Sequence, residues 1–186
     1  MILKTGQRIS LRDRLVSDVD RYLFWMTHGE WRHYDAPWEG IYQRLSPEQE
    51  AKFRDGFLEQ CRAEQPTPRQ RVILATRAED FPLGWVSRYG EDRFPDVAYL
   101  GISICDDAYL DRGLGTEALQ LWVDYLFESG KFRKLELHTW SLNPRMCRVA
   151  EKLGFRAEGR ERELIQWRAE WQDRLRFGML RREWGK

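Results

Sequence analysis

The sequence predicts one α/β (α+β) domain over residues 1–186, with about six to seven strands and about four helices. Three observations predict it. At 186 residues the chain is long enough for one sizeable core and too short for two domains of ordinary size. Its middle carries strand patterns in close succession, RVILAT, GWVSRY and VAYLGISIC. From there the pattern alternates as strand, glycine-containing loop, helix, strand, helix and strand.

Taken in order, Arg8–Arg12 (RISLR) alternates polar and apolar residues as a half-buried strand does. Ser17 and Asp18 then offer caps for a helix to about Met26, with Leu23, Phe24 and Trp25 among its apolar residues. Residues 31–41, WRHYDAPWEGI, are crowded with aromatics, interrupted by Pro37, and read as a loop. At Ser46 the run SPEQ supplies an N-cap, a proline at the first helical position and a Gln three residues after the cap, so a helix is expected to about Ala63. The breaker QPTPR ends it. Strands follow at Arg71–Thr76 and Gly84–Tyr89, joined by a turn around Asp80 and Pro82, and at Val97–Cys105. A helix from about Gly115 to Ser129 places Ala118, Leu119, Trp122 and Leu126 on one face, with Gly130 as its stop. Lys134–Trp140 is the next strand; Asn143 caps a short helix that has Pro144 at its first position and Gly154 at its end. Arg156–Trp167 and Trp171–Leu180 read as two long strands about a turn at Arg168–Glu170.

Composition excludes several classes. Thirty-one basic against 30 acidic side chains leave a net charge of +1, which is no footprint for nucleic acid. Three cysteines, Cys61, Cys105 and Cys147, have no CxxC spacing and no companion His cluster, so neither a disulfide framework nor a metal site is expected. MILKTGQRIS lacks a signal-peptide core, and no apolar run of about 18 residues occurs, so no membrane partner is expected and the cytoplasm is the default location. Nine Trp are hard to bury in one small core, so some are expected to line a surface or cleft.

DRGLGTEAL, residues 111–119, sets Gly113 and Gly115 one residue apart at a helix start, where Ser or Asp would cap better. Backbone amides of a loop running into a helix can converge on an anion, and glycine lets a phosphate approach without a clashing Cβ. The same spacing also describes a plain tight turn before a helix. A nucleotide P-loop is excluded, because Thr116 and Glu117 stand where Lys and Ser/Thr would follow. A dinucleotide fingerprint fails as well: its third glycine falls on Ala118.

LGISICDDAYLDRGLGTEALQLWVDYLF followed by LELHTWSLNPRMCRVAEKLGFRAEGRERE resembles the GCN5-related N-acetyltransferase (GNAT) superfamily, in particular its ribosomal-protein N-terminal (RimJ/RimL-like) acetyltransferase branch. The likeness is strong over Leu83–Trp184 and loose over the first eighty residues. It implies the GNAT fold, a mixed central sheet splayed at the cofactor strand with helices on its two faces, and a single N-acetyltransferase domain. It also implies acetyl-CoA as co-substrate, with the acetyl group passed to a primary amine, either a protein N-terminal α-amine or a small-molecule amine, by direct attack on the thioester. No metal is implied, and a monomer or homodimer is expected.

On that resemblance Ile102, Ser103 and Ile104 pair through their backbone with the pantetheine arm, as a peptide adds to a sheet edge. The amides of Arg112, Gly113, Leu114, Gly115 and Thr116 hold the pyrophosphate, with the Arg112 side chain adding charge. Asn143 serves as helix cap and pantetheine contact, and Arg148 reaches the phosphates. Met146 stands where ribosomal-protein relatives carry a Ser that can donate a proton, and a thioether cannot. Tyr109 is the candidate stand-in acid, Glu163 the first candidate base and Asp106 the second; His138, flanked by Glu136 and Trp140 on one strand face, is a further titratable group. The 31–41 loop falls where the family places its acceptor lid, with Asp35 and Glu39 for a cationic amine and Trp31, Tyr34 and Trp38 as an apolar or cation-π wall. Two other classes stay open: a non-catalytic acyl-CoA-binding module, and an interaction protein built around the aromatic surface.

Overall fold

A computed structural model describes residues 1–39 and 45–185; the tail of the 31–41 segment, Gly40 and Ile41, lies outside them. Among the described residues eight strands form one sheet: β1 (Ile2–Thr5), β2 (Ile9–Arg12), β3 (Arg71–Thr76), β4 (Pro82–Tyr89), β5 (Val97–Ile104), β6 (Lys134–Trp140), β7 (Arg156–Trp167) and β8 (Glu170–Leu180). Their spatial order is β1-β2-β3-β4-β5-β6-β8-β7, and every neighbouring pair is antiparallel except β5 and β6. Among the described residues the longer helices are α1 (Val19–Thr27), α2 (Pro47–Arg62), α3 (Leu114–Glu128) and α4 (Pro144–Lys152).

The strand count exceeds the expectation by β1, a four-residue edge strand whose run ILKT carries too short a pattern to read. A tight turn, with the Gly6 amide donating to the Ile9 carbonyl at 2.8 Å, folds it onto β2. β2 itself is not half-buried. Ser10 and Arg12 are only 5% and 3% exposed, because both sheet faces are covered here. The Arg12 guanidinium is matched by a two-pronged pair with Asp18, at 2.7 and 2.9 Å, and by Asp80 at 2.6 Å. That pairing corrects the expected cap of α1. The Asp18 carboxylate answers Arg12 and the Leu15 amide instead of the helix start, and the chain enters α1 through a 3-10 turn at Val16–Asp18. Ser46 caps α2 as expected, accepting from the Gln49 amide while Gln49 reaches back to the Ser46 amide.

Side chains alternate across the sheet with period two. From β3 and β4, Val72, Leu74 and Val86 join the core under α3, which holds Leu119, Trp122 and Leu126. Ile73, Ala75 and Trp85 face the opposite way, into a second core with Tyr22 and Trp25 of α1 and Phe57 of α2. RVILAT therefore reads as a continuous apolar run because each of its faces meets a helix layer.

One departure from regular pairing makes the site. β5 and β6 run side by side only from Val97–Leu100 against Lys134–Leu137. Beyond that point Gly101–Ile104 stays paired with β4 alone, and His138–Trp140 stays paired with β8 alone. The sheet forks, and among the described residues one edge of β5 is left without a strand partner. Gly84 of β4 is required at this place, since a Cβ on it would lie 2.0 Å from the Ser103 carbonyl oxygen.

Candidate active site

The fork opens into a cleft of about 740 Å³. Its first half is made largely of main chain. Ile102, Ser103 and Ile104 bring the unpartnered β5 edge to it, and Gly113, Gly115 and Thr116 close its end. Gly113 is the N-cap of α3, with φ 75° and ψ 3°, a left-handed conformation that costs a side-chain-bearing residue about 1 kcal/mol. It has no side chain to cap the helix. The first-turn amides, which by helix geometry lack partners four residues back, therefore remain available as donors. Of the two glycines, Gly113 is required by its φ; at Gly115 a Cβ would rest 3.5 Å from the Ile104 side chain, an ordinary contact that space permits.

Leu114 and Arg112, from the same turn, do not line the cleft. The Leu114 side chain is buried in the core, and the Arg112 guanidinium lies 5.6 Å over the Tyr109 ring. Arg8 braces the turn from outside: its Nη1 donates to the Arg112 carbonyl at 2.7 Å, and its amide and Nε donate to the Glu117 carboxylate at 2.8 and 3.0 Å. Burial would raise the Glu117 pKa, but these Arg8 hydrogen bonds outweigh it and hold the carboxyl below the usual range.

Helix α4 forms a wall of this half. Asn143 caps it, its Oδ1 accepting from the Met146 amide at 3.1 Å, which leaves the side-chain NH₂ group as the donor on the cleft. Met146 and Arg148 line the cleft, as do Arg145 and Lys152, which the sequence reading missed. Arg145, Arg148 and Lys152 recur at helical spacing, so α4 turns one basic stripe toward the cavity. Arg145 is also a junction. It pairs with Asp111 of the glycine turn at 2.8 Å and with Glu30 of the aromatic loop at 3.3 Å, and it lies 5.5 Å over the Tyr34 ring.

The second half is built of side chains. Trp31, Tyr34 and Asp35 line it, joined by Tyr22 of α1, Phe53 of α2, and Arg71 and Trp85 of β3 and β4. Tyr22 stacks on Trp85 at 4.9 Å, and the Trp31 ring meets Trp85 edge-on at 5.0 Å. Arg71 lies 5.6 Å over Trp85 and donates to the Tyr22 hydroxyl at 3.2 Å. Burial pushes the Tyr22 phenol up, against the pull of Arg71. The loop is pinned by its Glu30 amide, which donates to Asp107 at 2.8 Å. Trp38 stands outside the cleft, edge-on to Trp140 at 4.6 Å, and Glu39 is exposed outside it too.

The three candidate catalytic groups are not brought to this cleft. Glu163 sits on an irregularity of β7 with φ 50°, exposed, its amide donating to Asp173 at 2.7 Å. Asp106 accepts from the Ala108 amide at 3.1 Å, capping the 3-10 turn after β5. Tyr109 stacks on Phe81 at 6.1 Å and packs on the core. Titratable groups that do line the cleft include His138, Tyr89, Asp35 and Asp111. Among the described residues no group of His, Cys, Asp and Glu is placed to hold a metal, and no helix is long and apolar enough to cross a membrane.

This architecture has relatives. Residues 8–156 match the family described as acetyltransferase (GNAT) domain. Over 108 residues the chain is 33% identical to the "Probable N-acetyltransferase YjcK" of Bacillus subtilis, covering 58% of this chain and 59% of that protein, so it spans about three fifths of the length of that relative. A GNAT-family acetyltransferase from Bacillus anthracis superposes with a TM-score of 0.75 at 18% identity, covering 98% of this chain and all of that one. RimL, a ribosomal L7/L12 α-N-protein acetyltransferase solved with coenzyme A, superposes with a TM-score of 0.71 at 17% identity, covering 97% and 98% of the two chains. A family match over most of the chain, together with a sheet forked beside a glycine-capped helix, assigns it: the protein belongs to the GNAT acetyltransferase family.

Proposed function

We propose that this chain is an acetyl-CoA-dependent N-acetyltransferase acting on a primary amine. The observation that carries the reading is the open edge of Gly101–Ile104 ending at a helix start whose cap is a left-handed glycine. An unpartnered strand edge hydrogen-bonds an extended amide chain, and a helix N-terminus with open amides favours a diphosphate through both hydrogen bonds and the helix dipole. Pantetheine pyrophosphate carries those two features in that order. In this reading the backbone of Ile102, Ser103 and Ile104 holds the pantetheine, and the amides of Gly113 to Thr116 grip the pyrophosphate. Arg148 and Lys152 supply positive charge, and the Asn143 NH₂ donates from the facing helix. Arg112 contributes its backbone to the turn.

The acceptor amine belongs in the aromatic half, where Trp31, Tyr34 and Trp85 form an apolar wall beside Asp35. Wall and carboxylate suit a cationic primary amine on an apolar body. Met146, lining the cleft at the place of a proton-donating Ser, favours the second reading of a binding module without turnover. One experiment separates the two: free-thiol release from acetyl-CoA with a panel of amines, beside a thermal-shift titration with CoA. A CoA-dependent rise in melting temperature with amine-dependent thiol release supports the transferase. The rise without release on any amine supports the module, and no rise at all sinks both.

A further inference from the structure

A second cavity, of about 360 Å³, adjoins the main cleft, and Tyr89 and His138 line both. His138 is the first residue of β6 past the fork, one position beyond the last β5–β6 pair at Leu100 and Leu137. The side chain thus stands at the parting of the two strands, with about a quarter of its surface (26%) exposed. The groups facing it come from five strands. Glu136 lies on its own strand, its Oε2 3.3 Å from His138 Nε2 while its other oxygen pairs with Lys134 at 2.8 Å. The Tyr99 ring of β5 meets the imidazole edge-on at 4.9 Å, and the Tyr99 hydroxyl donates to Glu91 at 3.2 Å. Glu161 of β7 and Arg174 and Arg176 of β8 close the second cavity, Arg174 paired with Glu161 at 2.6 Å. Asp35 and Arg174 act electrostatically on Tyr89, whose phenol burial pushes up.

Resting on the transferase reading above, we propose that His138 is the base that takes the acceptor's proton, positioned by Glu136. Of the two residues shared by the cavities, His138 has a ring-nitrogen lone pair at which a proton can be taken, whereas burial holds the proton on the Tyr89 phenol. Asp35, a carboxylate, attracts the ammonium and is a poor acceptor for its proton. With Nε2–H donated to Glu136, the His138 lone pair sits on Nδ1. The ammonium R–NH₃⁺ gives one proton to Nδ1, and the freed nitrogen pair forms the N–C bond to the thioester carbonyl carbon. The C–S bond breaks and its pair leaves on sulfur; the second nitrogen proton goes to the thiolate. The products are amide and thiol, and the imidazolium returns one proton to solvent.

The test measures thiol release from acetyl-CoA between pH 5.5 and 9.5 with three probes, spermidine, tyramine and Ser-Ala-Ala-amide, taking whichever the natural chain uses fastest. His138→Ala and His138→Gln are expected to lose more than tenfold in kcat/KM, to lose the acid limb of the pH profile and to keep the thermal shift with CoA. Glu136→Gln is expected to move that limb, because the Glu136 carboxylate lies 3.3 Å from His138 Nε2. Asp35→Asn is expected to raise the KM for the amine and keep the limb. A loss under tenfold in the His138 variants, or an acid limb that survives them or stays unmoved in Glu136→Gln, overturns the assignment and leaves the transferase reading intact. If a His138 variant shows no CoA shift, the Glu136→Gln limb decides alone. Absence of thiol release by the natural chain with all three probes sinks the transferase reading itself, and this one with it.

Discussion

The two halves of the cleft are built on opposite plans. The half assigned to the cofactor presents main chain: an unpaired strand edge and the amides of a glycine-capped helix start, with side chains supplying a basic margin. The half assigned to the acceptor presents side chains, with Tyr22, Trp31 and Trp85 packed ring on ring and Arg71 over them. Main-chain recognition tolerates substitution wherever φ and ψ permit; side-chain recognition changes with every residue. One fold can thus keep a fixed main-chain cradle while the side-chain half is rebuilt from residues distant in sequence.

The strongest way to break this contrast is Trp85→Ala. Trp85 is 7% exposed and touches Tyr22, Trp25 and Trp31, so its removal is expected to cost about 3–5 kcal/mol in urea unfolding and to abolish amine turnover. Below the lowered melting temperature, CoA should still bind, because the glycine turn belongs to the other half. Equal loss of CoA affinity would show that the halves are not separate.

Gly84→Ala attacks the main-chain half. A Cβ 2.0 Å from the Ser103 carbonyl meets backbone that cannot swing away, and a cost of about 1–3 kcal/mol is expected, together with weaker CoA binding as the β5 edge is displaced. Calorimetry with CoA checks it; unchanged affinity would detach that edge from cofactor binding. The double variant Arg148→Ala with Lys152→Ala is expected to weaken CoA about tenfold, roughly 1.4 kcal/mol, and to flatten its salt dependence while leaving the amine KM in place. A rise in the amine KM instead would move this basic stripe to the acceptor half.

The smallest effect concerns the brace behind the glycine turn. Because Arg8 holds the Glu117 pKa below its unfolded value, the pair's contribution is present above the usual carboxylate range and is lost as pH falls through the folded value. Glu117→Gln should therefore be less stable than the natural chain by about 1 kcal/mol or less at pH 7, with the gap closing toward pH 3. Denaturant midpoints across that window check it; a gap independent of pH would contradict it.

What could be read from the sequence was whatever is decided locally. The capping box at Ser46, the β6 strand with bounds at Lys134 and Trp140, and the cap by Asn143 each depend on residues within a few positions. The glycine pair was legible for the same reason, since a left-handed cap is a property of one residue. Illegible features depend on distant partners. Asp18 looks like a helix cap until Arg12 is seen beside it, buried and in need of a counter-charge. Arg145 looks like a surface residue of a short helix, yet it meets Glu30 and Asp111 from sequence distances of 115 and 34 residues. Tyr22 and Trp85 read as core residues, which they are; that their ring faces also wall a cleft depends on where α1 lies over β4. Glu163, Asp106 and Tyr109 do not line the cleft. Glu163 stands where β7 breaks register between Glu161 and Ile165, an irregularity that no local pattern in the sequence announces.

If main-chain amides at the forked edge and the glycine turn hold acetyl-CoA, amide hydrogen exchange followed residue by residue, with and without saturating CoA, will register it at those amides. Slowed exchange within Gly101–Ile104 and at Gly113–Thr116, with little change in the second core around Trp25 and Phe57, is the predicted result. Exchange that stays the same at both segments while CoA is demonstrably bound would contradict it.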